Sequence, residues 1–240
     1  MKFGLLISTL ILLVSQAVHS DGRVLLEDQN RYILSQRMVY IEDTEDNLGI
    51  EDVIKIDRSG WSRTSDSSSS FGYSKSAYWI YVPFDVDHSA LWYVWLRYAP
   101  LDYVTFYWVK NGEVVEKHES GDAIPFDTRQ TRLPENIFLR ALQKGEKISM
   151  YMRLKTQGSY RIPLEIHQSD NFESNTAELL IFQGIYYGVM LVMSIFNFVL
   201  YFITGIRSYL HYVFYVATSL GSRLTIDGTG FQFLWPNTPV

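Results

Sequence analysis

The chain has 240 residues, a formal net charge of -5 and no cysteine. The missing cysteine excludes a disulfide framework, a thiolate metal site and a cysteine nucleophile. An acidic balance without any Lys/Arg cluster excludes a nucleic-acid partner.

At the N-terminus, Lys2 precedes an almost wholly apolar run from Phe3 to Val14, and the small residues Ser15, Ala17 and Ser20 follow. This pattern predicts a secretory signal peptide over residues 1–20, the apolar run being too short to span a bilayer comfortably. Residues 21–170 then read as one exported domain. Arg23–Glu27 and Met38–Ile41 read as short strands, Glu42–Asp46 as an acidic turn and Gly49–Ile56 as one or two helical turns. The Ser-rich stretch Trp61–Ser70 reads as an exposed loop. The acidic run 42–52 fails as a calcium loop, because Leu48 and Ile54 stand where such a loop needs Gly and Glu. The five histidines have no metal-ligand spacing, so no metal or cofactor is expected.

From Ala77 the hydrophobic period becomes two. Tyr78, Ile80, Val82 and Phe84 share one face, with Trp79 and Tyr81 on the other. The same alternation runs through Leu91–Tyr98, Tyr103–Trp108, Ile148–Lys155 and Arg161–Ile166. Asn111-Gly112 adds a tight hairpin signal. Repeated alternation with turn residues between predicts an all-β fold, an antiparallel sandwich or jelly roll.

Residues 171–178 read as a linker. From Leu179 to Ile206 no charged residue occurs, which predicts a first transmembrane helix over 179–206. A cytoplasmic turn (207–208), a second transmembrane helix (209–226) and a periplasmic segment (227–240) complete the expected organisation. Arg207 in the connection agrees with the positive-inside rule.

These residues resemble a known family. Tyr40-Ile41-Glu42-Asp43 leading to Leu48–Val53, then Phe71-Gly72-Tyr73, Tyr78-Trp79, Pro100-Leu101-Asp102, Gly121-Asp122, Pro125-Phe126, Arg129, Tyr151-Met152-Arg153 and Arg161–Leu164 are similar to the type 2 extracellular domain of the bacterial seven-transmembrane receptors with diverse intracellular signalling modules. Gly184–Gly188, Asn197, Tyr201, Arg207–Leu210 and Gly230–Pro236 are similar to the first two helices of that family's membrane module. Tyr81 departs from the pattern, since the family tends to have Arg two residues after the Trp. The resemblance implies a carbohydrate-binding-module-like jelly-roll sandwich followed by two transmembrane α-helices. It also implies signal transduction from the periplasm across the bacterial inner membrane. Further spans and a kinase, cyclase or phosphatase module are expected beyond Val240, the chain being read as a C-terminally truncated member without catalytic output.

The strand residues alternating out of the core are the first ligand candidates: Trp79, Tyr81, Tyr93, Trp95, Arg97, Tyr151, Arg153 and Arg161. Sugars stack their C–H faces on Trp and Tyr while Arg donates directed hydrogen bonds to hydroxyls or carboxylates, so this set suits a carbohydrate or other small-molecule ligand. The same aromatics also serve as strand formers that fill space between sheets or pack on a neighbour. Asp122 and Arg129 suit a polar loop at the mouth of the sandwich, or a turn in which Asp122 caps amides and pairs with Arg129. Asp102, Asp122, Asp127 and Glu165 could serve glycoside cleavage, but nothing in the sequence pairs any two of them, and no enzyme is expected. Besides the bilayer, a homodimer or a partner receptor is an expected contact. A protein-interaction module and a membrane-anchored glycan-processing enzyme are the alternatives.

Overall fold

The structure, a computed structural model, describes residues 22–64 and 70–236. The expected signal peptide lies outside the described residues. Short strands β1 (Val24–Leu26), β2 (Arg31–Ile33) and β3 (Val39–Asp43) open the chain. An excursion follows through α1 (Ile50–Lys55), a 3-10 turn at Arg58–Gly60 and β4 (Ser62–Arg63). The chain continues through β5 (Ser70–Tyr73), β6 (Ala77–Val86), β7 (Ala90–Leu96), β8 (Tyr103–Lys110) and β9 (Glu113–Ser120). A second 3-10 turn (Phe126–Thr128) leads to β10 (Asn136–Leu142), β11 (Lys147–Lys155), β12 (Ser159–Arg161) and β13 (Leu164–Gln168). Helices α2 (Ser169–Thr204), α3 (Arg207–Ile226) and α4 (Thr229–Phe233) close it.

The strands form a β-sandwich. One sheet runs β4-β3-β6-β11-β8-β9, with β1 added parallel to β6; the other runs β10-β7-β13-β2. A two-stranded ribbon, β12-β5, stands beside them. Because alternate side chains of a strand point to opposite faces, each central strand sends every second residue inward. Ile80, Val82, Phe84, Met150, Met152, Phe106 and Trp108 from the large sheet meet Trp92, Val94, Leu96, Phe138, Leu164 and Ile166 from the small one. Phe106 stacks on Phe138 across the gap, with ring centroids 4.4 Å apart. The expected hairpin joins β8 to β9, and Asn111 and Gly112 both have positive φ (54° and 82°), as a two-residue turn of this twist requires.

The stretch 161–166, expected as one strand, is two. Pro163 has no N–H for a ladder, and the chain passes there from the β12–β5 ribbon to β13 in the small sheet. Residues 171–178, expected as a linker, are helical and continue β13 directly into α2. The 26 residues from Leu179 to Thr204 extend about 39 Å at the α-helical rise, enough to cross a hydrocarbon core. Among the described residues α2 alone is long and apolar enough to cross a membrane by length and composition. Gly205 ends it in the left-handed conformation, and α3 returns, since Tyr187 near the start of the span donates to Asp227 Oδ2 just past the end of α3 (3.1 Å).

Candidate functional site

The outer face of the large sheet is roofed by the excursion between β3 and β4. The amide of Gly49 donates to Asp52 Oδ2 (3.1 Å) at the start of α1, and Val53 buries itself against Trp79, Val109 and Tyr151. The turn after α1 delivers Arg58, whose guanidinium donates to Val53 O (3.2 Å), Ile56 O (2.7 Å) and the Tyr151 hydroxyl. The same group lies 4.5 Å from the ring centre of Trp61 and 4.4 Å from that of Tyr81, inside the range of a cation–π contact. Burial pushes the Tyr151 hydroxyl pKa up, and the Arg58 charge partly offsets that.

Beside this clamp opens a hollow of about 370 Å³, lined by Arg23, Arg37, Arg58 and Arg63 with Trp61 and Tyr81. Arg23 is already neutralised by Asp85 at 2.6 Å. Among the described residues no Asp or Glu lines the hollow itself. The guanidinium groups of Arg37, Arg58 and Arg63 with two rings, and no lining carboxylate among the described residues, form a surface for an anion with an apolar face.

Two structural links tie the sandwich to α2 and α3. The first is α2, whose Phe172 stacks on Tyr93 (centroids 4.2 Å, planes 6° apart) and meets Trp95 edge-on at 5.3 Å. The second is the segment after α3. Gly228 takes φ +73°, and a Cβ there would stand 2.8 Å from Ala99 Cβ and 3.0 Å from Pro134 O, so glycine alone allows this approach. Gln232 donates to Arg132 O (2.6 Å), the Phe126 amide donates to Pro236 O (3.0 Å), and Phe126 meets Phe231 edge-on. Replacing Gly228 by Ala is expected to loosen this link by about 1–3 kcal/mol. Faster amide exchange at Phe126 and Arg129, with the β6 and β11 amides unchanged, is the expected readout.

Residues 35–168 match the family model described as 7TMR-DISM extracellular 2, and residues 179–240 match 7TM diverse intracellular signalling. The chain belongs to the 7TMR-DISM family. It is therefore the extracytoplasmic sensor domain and part of the membrane module of a receptor. No curated protein matches it. Solved structures give distant likenesses. A Kluyveromyces marxianus β-glucosidase in complex with glucose is 10% identical with a TM-score of 0.34, over 59% of this chain and 17% of that one. A Ruminococcus gnavus β-glucuronidase is 11% identical at 0.35, over 61% and 31%. A family 35 carbohydrate binding module from Clostridium thermocellum is 9% identical at 0.30, over 59% and 100%. At such scores neither ligand nor activity passes to the 7TMR-DISM chain.

The expected ligand residues do not share one surface in this receptor domain. Strands β6 and β11 belong to the large sheet and β7 to the small one, so residues pointing out of the shared core leave on opposite sides. Trp79, Tyr81, Tyr151 and Arg153 lie on one outer face, Tyr93, Trp95 and Arg97 on the other. Trp79 (1% exposed) and Tyr151 (4%) are buried under α1, and Trp95 (2%) under α2. Tyr81 does line the arginine hollow. Arg153 pairs with Asp46, as does Lys155, in a separate shallow depression. Arg161 is exposed on the β12–β5 ribbon. Asp122 and Arg129 face Phe231 and Trp235 at the second link. There Arg129 donates to Pro134 O and Gly121 O (2.8 Å each) and stacks on Phe126 and Phe231. Arg37, Arg58, Trp61 and Arg63, which the strand pattern did not single out, form most of the hollow; Arg-x-x-Trp-x-Arg over 58–63 is the signal they leave.

Proposed function

We propose that this chain is the ligand-sensing part of a bacterial inner-membrane receptor, with its sandwich in the periplasm. Its ligand is an acidic carbohydrate or a related small organic acid, bound in the arginine hollow. One observation carries the reading: Arg37, Arg58 and Arg63 converge with the Trp61 and Tyr81 rings on a wall where, among the described residues, no carboxylate stands. A sugar acid presents a C–H face for the rings and a carboxylate for a guanidinium fork, so it uses both halves of the hollow. The ligand shifts the receptor only through a difference in affinity between two arrangements of sandwich and helices. The links through α2 and through the segment after α3 are where those arrangements differ.

Titration calorimetry on the whole chain in nanodiscs, with uronic-acid oligosaccharides beside their neutral counterparts, tests the reading. Saturable binding of the acidic series is expected, weakened about tenfold by Arg63→Ala, the value of a charge-assisted hydrogen bond of about 1.5 kcal/mol. Equal binding of neutral and acidic sugars, or full binding by Arg63→Ala, would remove the hollow as the site. Ligand should also change crosslinking at Glu178 between paired chains.

A further inference from the structure

A second cavity, of about 310 Å³, lies between the small sheet and the first turns of α2. Its size falls at the small end of ligand cavities, roughly 300–1,000 Å³. On the sandwich side its centre is Glu165, whose side chain is 9% exposed. Glu165 Oε2 lies 2.8 Å from His167 Nε2, and its Oε1 lies 3.1 Å from Arg31 and 3.6 Å from Arg97. Burial pushes the Glu165 pKa up, but the His167 hydrogen bond and the two arginine charges together hold it below its ordinary value. Arg31 and Arg97 thus share the Glu165 carboxylate, and Arg97 also feels the charge of Glu135. His167 lines the same wall with its side chain 2% exposed, and its Nδ1 has no hydrogen-bond partner among the described residues. Trp95 forms the floor, with Arg97 stacked 4.9 Å above its ring.

The opposite wall is the membrane helix at a telling height. Glu178 is the last charged residue before the uncharged run, and the next lining residues, Leu179 and Phe182, are exposed and apolar. Lipid headgroups therefore stand level with this cavity, with acyl chains beside Leu179 and Phe182. Arg31, Arg97 and His167, gathered around Glu165 on one side, face Glu178 on the other, at headgroup height, over an apolar descent.

We propose that this cavity binds the headgroup of a membrane phospholipid. Arg31 and Arg97 hold its phosphate, and Glu178 holds the ammonium of an ethanolamine-type headgroup. A lipid there contacts the sandwich and the span together, wedged beside the Phe172–Tyr93–Trp95 stack, so its presence sets how firmly the two are docked.

Native mass spectrometry of the whole chain, released from detergent with added phosphatidylethanolamine or phosphatidylglycerol, tests this. The wild type should keep a bound phosphatidylethanolamine in preference to phosphatidylglycerol. Joint Arg31→Gln and Arg97→Gln substitution should lower its occupancy at least tenfold, and Glu178→Gln should abolish the preference. If the double variant does not fold, Arg97→Gln alone decides the matter, because that side chain is 40% exposed; a loss of about threefold is then expected. Unchanged occupancy in the arginine variants overturns the proposal, and so does a preference for phosphatidylglycerol in the wild type. Glycerophosphoethanolamine or inorganic phosphate binding as well as the intact lipid would make the occupant a soluble phosphate compound, and also overturns it.

Discussion

Trp79→Ala is expected to destabilise the sandwich by about 3–5 kcal/mol, the usual cost of deleting a buried Trp or Phe. Trp79 sits on β6, which pairs with both β3 and β11, and is 1% exposed. Its ring stacks on Tyr107 and belongs to the cluster that fastens α1 to the sheet through Val53. For a chain of this size the loss converts to a fall in melting midpoint of roughly 6–20 °C, measurable by scanning calorimetry. The indole N–H of Trp79 is buried without a partner among the described residues, so Trp79→Phe should cost far less. Binding should weaken in Trp79→Ala as a secondary effect, because the α1 carbonyls that fix Arg58 depend on the cluster. Arg63→Ala should show the reverse pattern, weaker binding at an unchanged midpoint, since Arg63 is exposed. A Trp79→Ala midpoint within about 2 °C of the wild type would mean that this cluster holds nothing in place.

The alternation in the sequence tells which residues leave the core but not which sheet they leave from. That is why Trp79 and Trp95, equal as candidates on the page, lie on opposite faces of the sandwich. It also leaves open what covers an outer face. Trp79 is hidden by Val53, whose short segment is apolar at Leu48, Ile50, Ile54 and Ile56 but does not say which face it covers, and Trp95 by Phe172, the one large apolar residue in a polar stretch. Strand β9 was illegible because Glu113–Ser120 is an edge exposed along most of its length, where charge protects against further pairing. Strand β10 was illegible for another reason: Ile137 packs outward with Trp95 while Phe138 packs inward, and Asn136 and Arg140 share the parity of Phe138, so polar and apolar residues do not separate onto two faces. The arginine hollow is built largely from a short irregular excursion, and such a segment has no period to read. The uncharged run of α2 was fully legible, because its meaning depends on length and charge alone.

Asp122→Asn is expected to stabilise the end of the sandwich against the segment after α3 at neutral pH. Asp122 lies close to Asp102 and Arg129, and its Oδ1 is buried without a hydrogen-bond partner among the described residues. Burial, with the Asp102 charge adding to it, raises its pKa from 3.8 to about 6, and Arg129 offsets this only in part. Burial likewise presses the Arg129 guanidinium down to about 10. The folded chain therefore binds the Asp122 proton more tightly than the unfolded chain does. Stability from that proton is complete below pH 3.8, falls as pH rises toward 6, and is gone above it. At pH 7 the ionised Asp122 costs about 1–3 kcal/mol relative to a neutral side chain of the same shape. Burial raises the Glu135 pKa too, and its contribution to stability falls with rising pH in the same sense. Only the difference between wild type and variant isolates Asp122. Melting midpoints recorded between about pH 3 and pH 7.5 should lie closest together at the acid end, below pH 3.8. Above about pH 6 the Asp122→Asn midpoint should lie higher, by roughly 2–10 °C. Parallel curves across the whole range would place the Asp122 carboxylate in water rather than against the membrane module.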